Sequence, residues 1–263
     1  LAMAGSDRKP HPLVDTHCHL DAPSLLPRLD KILFDAGNAG VCKYVLPGVA
    51  PDAWPRIESL AGCNGSVYPA YGLHPMFADQ WSDEIREKLA AMLSTAVAVG
   101  EIGLDYYCQA QPRSVQAETF RQQLRLAVSA GLPVLIHCRG AFRDLLAILE
   151  EENVSRVGGV MHAFSGSPEV AAACIRLGLL ISVAGPVTYK NAVRPVRVVE
   201  EIPISHLVLE TDSPDLSPEP YRGRDNEPAL LPLIAETVAN IKGIPYFEVA
   251  EITMFNSTKL LSL

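Results

Sequence analysis

The chain has 263 residues, of which 48% are hydrophobic and 20% charged, and its formal net charge is −8 at pH 7. This length allows one large domain or two small ones, and the acidic balance argues against a protein that grips nucleic acid across a broad basic face. The charge does not exclude contact with phosphates through bound cations, because a cation can dominate the local field whatever the net charge.

The first residues of the chain and its cysteines indicate how the chain is processed and in which cellular compartment it folds. Residues 1–9 have neither a charged leader with an apolar core nor an initial Met, so we predict a terminal tail left over from expression, followed by one folded domain over residues 10–263. No apolar run reaches the roughly 18 residues of a membrane span, and we expect no membrane partner. The six cysteines lack CxxC spacing, which predicts reduced, buried thiols in a cytoplasmic protein.

Short β-branched, apolar segments alternate with helical patterns along the whole chain. Most of these segments are nearly continuous hydrophobic runs, as expected of parallel strands covered on both faces. The predicted strands are Leu13–Leu20, Lys43–Val49, Val67–Leu73, Val97–Leu104, Val134–Cys138, Gly159–Ala163, Leu180–Ala184 and Leu207–Thr211.

The segments between the strands carry helix signals. Phe142, Leu145 and Leu149 fall on one helical face, and Ser167 followed by Pro168 is typical of a helix start. Eight strand–helix units, one every ~25–35 residues, predict an α/β fold, a single-domain TIM (β/α)8 barrel. A doubly wound open sheet is the alternative, but no GxGxxG follows the first strand.

The first strand ends in Asp15-Thr16-His17-Cys18-His19. Alternate side chains of a strand share a face, so we expect Asp15, His17 and His19 to point the same way. Two neighbouring imidazoles at a strand end can supply two ligands of a metal site.

Four more ionisable residues end otherwise apolar strands: Glu101, His137, His162 and Asp212. Barrel enzymes build their sites at these carboxyl ends, and buried charges are costly unless they are paired or bound to metal. With His17 and His19, these residues supply four imidazoles and two carboxylates. Such a set suffices for two divalent cations that share a bridging ligand.

These residues lie in motifs that resemble those of the TatD family of metal-dependent deoxyribonucleases, within the amidohydrolase-like metal hydrolases. The matching stretches, in chain order, are DTHCHL, GLHP, GEIGLDYY, IHCR, MHAFSG and LETDSP, followed by RDNEP up to Pro228. The resemblance implies a barrel in which His17, His19 and Asp212 hold one metal and His137 and His162 the other, with Glu101 bridging.

The resemblance also implies roles in hydrolysis. Two cations would activate a water for attack on a phosphodiester, with Glu101 and Asp212 as the catalytic carboxylates and Asp212 as the general base. Arg139 and His74 are the expected contacts to substrate phosphate. Asp15 and Glu210 are expected to accept a proton from a ligand imidazole. Asp105 has two interpretations, lining the site or capping a loop.

The expected cofactors are two divalent metal ions per chain, Zn, Mn, Mg or Ni. The expected substrate is DNA, and the resemblance implies cleavage as by an exonuclease. Few basic residues surround the predicted site, which suits a single strand or a strand end better than a long duplex. No obligate protein partner is evident. Aromatic residues after the strand ends, such as Tyr106 and Tyr107, could stack on bases, although packing under loops is the more common role.

Two other functions stay open at this point. The first is hydrolysis of other ester or amide bonds by the same metals, with D-aminoacyl-tRNA as the main alternative substrate. Many dinuclear barrel hydrolases of C–N bonds bridge their metals with a carboxylated lysine on strand four, where this chain has Glu101 and no lysine. The second is a non-catalytic binding module, for which a degraded ligand set is expected. All six positions are intact, which favours catalysis.

Overall fold

Eight parallel strands form the wall of the molecule. A computed structural model describes residues 11–263, so the predicted tail over residues 1–9 lies outside the described residues. The strands pair in the order of the chain, which confirms the single-domain α/β barrel. They are β1 Leu13–Asp15, β2 Val41–Pro47, β3 Val67–Tyr71, β4 Ala98–Asp105, β5 Val134–Arg139, β6 Gly159–Met161, β7 Leu179–Val183 and β8 Leu207–Leu209.

Helices surround the sheet and link successive strands. They are α1 Leu29–Asn38, α2 Trp54–Cys63, α3 Asp83–Met92, α4 Arg113–Ala130, α5 Phe142–Glu151, α6 Pro168–Arg176, α7 Arg194–Glu201, α8 Leu231–Lys242 and α9 Tyr246–Leu261. The helix signals in the sequence are confirmed at α5 and α6. The Ser167 side chain accepts a hydrogen bond from the Val170 N–H at 3.5 Å, as an N-cap does.

The barrel closes between β8 and β1 through side chains as well as backbone. The Thr16 N–H and its hydroxyl both donate to the Leu209 carbonyl, at 3.1 and 3.0 Å. The Thr211 N–H donates to Asp15 Oδ1 at 2.9 Å. Below this seam, Nδ2 of Asn256 in α9 donates to the Leu207 carbonyl at 2.8 Å. These bonds join the two edges where the strand ladder itself is not continuous.

Two apolar layers hold the barrel together. Inside the barrel, small and branched residues from several strands pack together: Val45, Ala70, Ala98, Leu135, Val160 and Val208. A larger cluster fills the space between the sheet and the helices. All eight residues of β4 are buried, as a strand covered on both faces requires. Burial of this continuous apolar surface is the main favourable contribution to folding.

Six strands end earlier than predicted. The first ends at Asp15 instead of Leu20, the second at Pro47 instead of Val49 and the third at Tyr71 instead of Leu73. The sixth ends at Met161 instead of Ala163, the seventh at Val183 instead of Ala184 and the eighth at Leu209 instead of Thr211. The backbone leaves the extended region soon after two of them, because φ is +40° at Ala163 and +61° at Asp212. The polar residues that the prediction placed inside these strands therefore lie in loops.

The structure tests the predictions made for the cysteines and for membrane-spanning segments. All six cysteines are free thiols, and Cys18, Cys138 and Cys174 are buried as predicted. The expectation is wrong for Cys42 and Cys63, which are exposed. Cys42 is the second residue of β2 and Cys63 the last residue of α2, so both lie near the end of an element. Within residues 11–263, no helix has the length and apolar character needed to cross a membrane.

Candidate metal centre

The six residues predicted as metal ligands converge at the carboxyl end of the barrel. Glu101 lies within β4 and His137 within β5, whereas the other four follow β1, β6 and β8. His17, Glu101 and His162 are buried, and His19, His137 and Asp212 are half-buried. The cluster therefore lies at the floor of a cleft rather than on an open surface.

The carboxylate of Glu101 lies between two sets of imidazoles. Its Oε2 is 3.4 Å from His17 Nε2 and 3.9 Å from His19 Nε2. Its Oε1 is 2.9 Å from His137 Nδ1 and 3.8 Å from His162 Nε2. The two carboxylate oxygens thus face different imidazoles, and His74 Nε2 joins the Oε1 side at 3.7 Å. Separate imidazoles at the two oxygens are what a bridging carboxylate requires.

Asp212 lies across the cluster from Glu101. Its Oδ1 is 3.6 Å from His19 Nε2 and 3.7 Å from the Nε2 atoms of both His17 and His162. The left-handed backbone of Asp212 is uncommon for a residue with a side chain. It is held by two hydrogen bonds, from its own N–H to the His17 carbonyl at 2.9 Å and from the Asp215 N–H to its carbonyl at 2.7 Å.

Burial and crowding shift the protonation of these groups in opposite directions. Burial raises the pKa of Asp212 to about 6 and lowers the pKa of His17 to about 4. Burial also opposes charge on His162, but the carboxylates of Glu210, Asp212 and Glu101 outweigh it and raise the pKa of His162 to about 10. The carboxylates of Glu210, Asp212 and Glu101 therefore favour a positive charge among them.

This donor set fits a divalent cation. Across the described part of the chain, no lysine or arginine nitrogen lies within 4.0 Å of the carboxylates of Glu101, Glu210 or Asp212. The Nε2 atoms of His17 and His19 are only 3.3 Å apart, and the donor atoms of His17, His19 and Asp212 all lie within 4.8 Å of one another. Imidazole and carboxylate ligands at this spacing are typical of transition-metal sites.

Two carboxylates lie behind the candidate ligands. Glu210 Oε1 is 2.9 Å from His162 Nδ1, the ring nitrogen that points away from Glu101. Asp105 Oδ2 is 3.2 Å from His137 Nε2, again on the far side of the ring. Such partners fix the orientation of a ligand imidazole. Asp105 also caps its loop, since its Oδ1 accepts the N–H groups of Tyr107 and Cys108 at 2.9 and 3.1 Å. Asp105 therefore both faces a candidate ligand and caps its own loop.

Asp15 has different partners from those expected. Its carboxylate accepts the N–H and the hydroxyl of Thr211, at 2.9 and 2.5 Å, and the backbone N–H of His17 at 3.4 Å. It contacts no imidazole ring, and His17 Nδ1 is buried without a hydrogen-bond partner. The reason is that β1 ends at Asp15, so the alternation that would have aligned Asp15 with His17 stops there. Asp15 instead supports the loop that carries Asp212.

His74 and Arg139, the expected substrate contacts, both line the cleft. His74 Nδ1 accepts the Met76 N–H at 3.1 Å, which leaves the proton on Nε2, and burial lowers the pKa of His74 to about 4. The Nε2–H donor lies 3.7 Å from Glu101 Oε1. The Arg139 side chain is 60% exposed, with its Nη1 3.7 Å from Asp105 Oδ2.

Two buried glutamines of α4 position the loops that carry these side chains, and the sequence analysis missed them. Gln123 accepts the Leu73 N–H at 2.7 Å and donates to the Leu73 carbonyl at 3.0 Å, directly before His74. Gln116 makes the same pair of bonds to the backbone of Asp105, at 2.9 and 3.0 Å. The available signal was their spacing of seven residues next to the apolar stripe of α4.

The cleft above the cluster has a volume of about 760 Å³. Three arginine–tyrosine pairs lie at or beyond the carboxyl ends of the strands: Arg113 over Tyr106 at 4.2 Å, Arg139 over Tyr107 at 5.5 Å and Arg222 over Tyr189 at 4.3 Å from the ring centroids. Of these six residues, Arg139 lines the cleft itself. The Tyr107 side chain is 72% exposed, so it does not pack under a loop.

A (β/α)8 barrel with imidazoles and carboxylates gathered at the carboxyl ends of its strands defines the class of barrel metal-dependent hydrolases. Comparison with known proteins makes the assignment specific. Residues 14–262 match the family model described as TatD related DNase, and the chain belongs to this family of metal-dependent hydrolases. The resemblance found in the sequence motifs is thus confirmed.

Individual relatives cover nearly the whole chain. It is 39% identical over 255 residues to the uncharacterized metal-dependent hydrolase YabD of Bacillus subtilis, covering 95% of this chain and 99% of the relative. It is 34% identical to human deoxyribonuclease TATDN3, covering 94% of each. The crystal structure of YjjV, a TatD homolog from Escherichia coli K12, superposes with a TM-score of 0.91 at 32% identity, covering 95% of this chain and 98% of that one.

Proposed function

We propose that this hydrolase cleaves phosphodiester bonds in DNA, from a strand end, with two divalent metal ions that share Glu101. The observation that carries the proposal is the position of the Glu101 carboxylate at the floor of an open cleft, with separate imidazoles at each of its two oxygens. Membership of a family described by its DNase activity, and a human relative named as a deoxyribonuclease, support the substrate class.

His17, His19 and Asp212 would hold one metal, and His137 and His162 the other, with Glu101 between them. When bound, two such ions lower the pKa of a water and polarise the phosphodiester for in-line attack. Neutral imidazoles and carboxylates suit zinc, manganese or nickel, and suit magnesium less well because it prefers oxygen ligands. Glu210 and Asp105 would keep the His162 and His137 rings oriented for this task.

The remaining roles follow from the positions of the side chains. Asp212 Oδ1 faces the centre of the cluster and accepts the proton of the attacking water. His74 donates its Nε2–H to a phosphate oxygen, since its Nδ1 is occupied by the Met76 N–H. Arg139, on the exposed side of the cleft, donates a guanidinium N–H pair to another phosphate oxygen.

A single strand suits the surroundings of the cleft better than a duplex. The cationic groups near the opening are few and are paired with tyrosine rings, which favours stacking of unpaired bases over neutralisation of many phosphates. The exposed ring of Tyr107 is available for such stacking.

End-labelled single-stranded DNA tests the proposal. We expect release of terminal nucleotides that requires added Zn²⁺ or Mn²⁺ and stops with a chelator. Asp212→Asn should lower kcat by at least ~100-fold, the usual contribution of a general base. The control is Asp79→Asn, an exposed carboxylate outside the cleft, which should not change the rate. Hydrolysis of D-aminoacyl-tRNA by the same preparation, with no metal-dependent cleavage of DNA, would contradict the proposal.

A further inference from the structure

A second cavity opens beside the metal-binding cleft. It has a volume of about 270 Å³ and lies between the carboxyl ends of β6 and β7 and the start of α7. Three residues, Ala163, Ser165 and Pro186, line both this cavity and the cleft. The two spaces therefore adjoin along one edge.

The lining of this cavity is mostly apolar. Phe164, Val183, Val187, Val198 and Val199 form its inner surface and are all buried. One cation lies at its edge, because Arg194 is exposed and donates from Nη1 to the Ser165 carbonyl at 3.2 Å. An apolar slot with a single cationic group at its opening is suited to a planar, weakly polar group attached to an anion.

Close packing on two sides gives this cavity its shape. The Phe164 ring lies 5.5 Å from the Phe142 ring, at an interplanar angle of 58°. On the other side, Leu216 in the loop after β8 packs directly against Gly185. A side chain at this position would not fit, because its Cβ would lie 1.8 Å from the Leu216 carbonyl oxygen. A preformed pocket binds its ligand without a cost for ordering side chains.

The cavity is also connected to the candidate ligands through the chain itself. Ala163 directly follows His162, and its N–H donates to Glu210 Oε1 at 2.6 Å. A group seated in the cavity thus contacts the segment that holds His162 in place. An anion attached to that group would reach the side of the cleft where His162 and Asp212 lie.

We infer that this cavity, defined here as the base pocket, binds the nucleobase of the terminal nucleotide while its phosphate lies in the cleft. This inference rests on the proposed function and adds a specificity determinant to it. The volume is below the ~300–1,000 Å³ usual for drug-sized ligands, so it suits one planar base rather than a dinucleotide. The apolar lining predicts recognition of the base by its faces, with little preference among sequences.

The test compares single-stranded oligonucleotides whose attacked end carries either a normal nucleotide or an abasic residue, placed at the 3′ or the 5′ terminus in separate substrates. For the wild-type enzyme with Mn²⁺, we expect kcat/KM to be about tenfold lower on the abasic end. Product inhibition gives a second measurement. A deoxynucleoside monophosphate should inhibit about tenfold more strongly than deoxyribose 5-phosphate.

A pocket-filling variant tests whether the base pocket causes this difference. Ala184 lines the base pocket and not the cleft. Ala184→Leu extends an apolar side chain into the pocket and should lower kcat/KM on normal ends to the abasic level, while leaving abasic ends within about twofold. The matched control is Ala91→Leu, because Ala91 is exposed on α3.

The possible outcomes separate this inference from the proposed function. Equal kcat/KM for normal and abasic ends would overturn the base pocket while leaving DNA hydrolysis intact, as would equal losses on both substrates in Ala184→Leu. Hydrolysis of neither substrate in the presence of metal would contradict the proposed function itself. If Ala184→Leu altered selectivity among aminoacyl esters and not among DNA ends, the pocket would belong to an acyl group and the inference would be wrong.

Discussion

Glu101 shows how one residue can define the chemistry of the cleft. A buried carboxylate is costly unless its charge is compensated. Burial alone would raise the pKa of Glu101, but His74, His17 and His162 lower it well below its usual range. The ionised carboxylate with imidazoles on both sides is therefore the favoured state, and it is also the state that can bridge two cations.

Asp105 provides a residue-level prediction about metal affinity. Asp105→Asn removes the carboxylate that faces His137 Nε2, so the His137 ring loses its orienting partner. We expect metal affinity to fall by roughly 10–100-fold, the usual effect of losing such a partner. Competition with a chromogenic chelator measures it.

The control for this variant is Asp144→Asn. This substitution makes the same chemical change at a nearby aspartate, whose carboxylate accepts a hydrogen bond from the Tyr106 hydroxyl at 2.7 Å. Equal metal affinity in wild type and Asp105→Asn would show that His137 does not depend on this carboxylate.

At the scale of elements, helix α4 does more than cover the sheet. Its two buried glutamines bind the backbone at the ends of β3 and β4, next to His74 and at Asp105. Each glutamine amide satisfies both the N–H and the carbonyl of one residue, Leu73 just beyond β3 and Asp105 at the last position of β4. The helix thereby fixes the backbone positions from which the His74 and Asp105 side chains extend toward the cleft.

Gln123→Leu tests this role of α4. The variant leaves the buried N–H and carbonyl of Leu73 without partners, which should lower the free energy of unfolding by about 1–3 kcal/mol. It should also lower kcat/KM on DNA by about tenfold, because His74 follows Leu73 and would shift. Urea unfolding and steady-state kinetics measure the two effects.

Gln122→Leu is the matched control in the neighbouring position, where the glutamine accepts the Trp81 Nε1–H at 2.7 Å and does not touch the strand. If both variants lost activity equally, the effect would not come from the backbone of Leu73.

The order and type of the elements could be predicted from the sequence because each has its own local signal. Apolar runs mark the strands, and Ser167 and Gly131 mark helix ends by capping chemistry. The ends of the strands were harder to predict from the sequence. Where a strand stops depends on contacts made across the barrel, such as Asp212 N–H to the His17 carbonyl, between residues almost 200 positions apart.

The same distinction applies to the candidate site. Its ionisable residues stand out because each follows an apolar run, and the structure places all six predicted ligand residues together. The partners of Asp15 could not be predicted, because they are set by β8 meeting β1 in space. The glutamines of α4 escaped notice because their seven-residue spacing is a weak signal, since uncharged polar residues are common beside the apolar stripe of a helix.

For the whole molecule, closure of the barrel depends on few bonds at one seam. The Thr16 hydroxyl donates to the Leu209 carbonyl at 3.0 Å, beside the backbone bond between the same residues. Thr16→Val removes this buried hydroxyl with little change in shape and should lower the free energy of unfolding by about 1 kcal/mol. Thr16→Ser keeps the hydroxyl and should retain the seam.

Urea unfolding of both Thr16 variants, together with hydrogen exchange at the Thr16 and Thr211 amides, measures this effect. Faster exchange confined to those amides in Thr16→Val would show that the seam opens locally. Unchanged stability in Thr16→Val would mean that α9 and the packed core close the barrel without it.

The acidic character of the whole chain also has a local explanation. The formal charge of −8 includes Glu101 and Asp212, which line the cleft, and Glu210, which lies directly behind His162. Bound cations would reverse the local field there and attract phosphate. Net charge is therefore a weak guide to the ligand of this molecule.

Metal content tests the central claim of two ions sharing Glu101 most directly. Protein saturated with Zn²⁺ or Mn²⁺ and then dialysed should contain about two ions per chain by mass spectrometry of the metal. Glu101→Gln should retain about one ion or fewer while keeping its fold by circular dichroism. A saturated wild-type content of one ion or fewer, or an unchanged content in Glu101→Gln, would contradict the account.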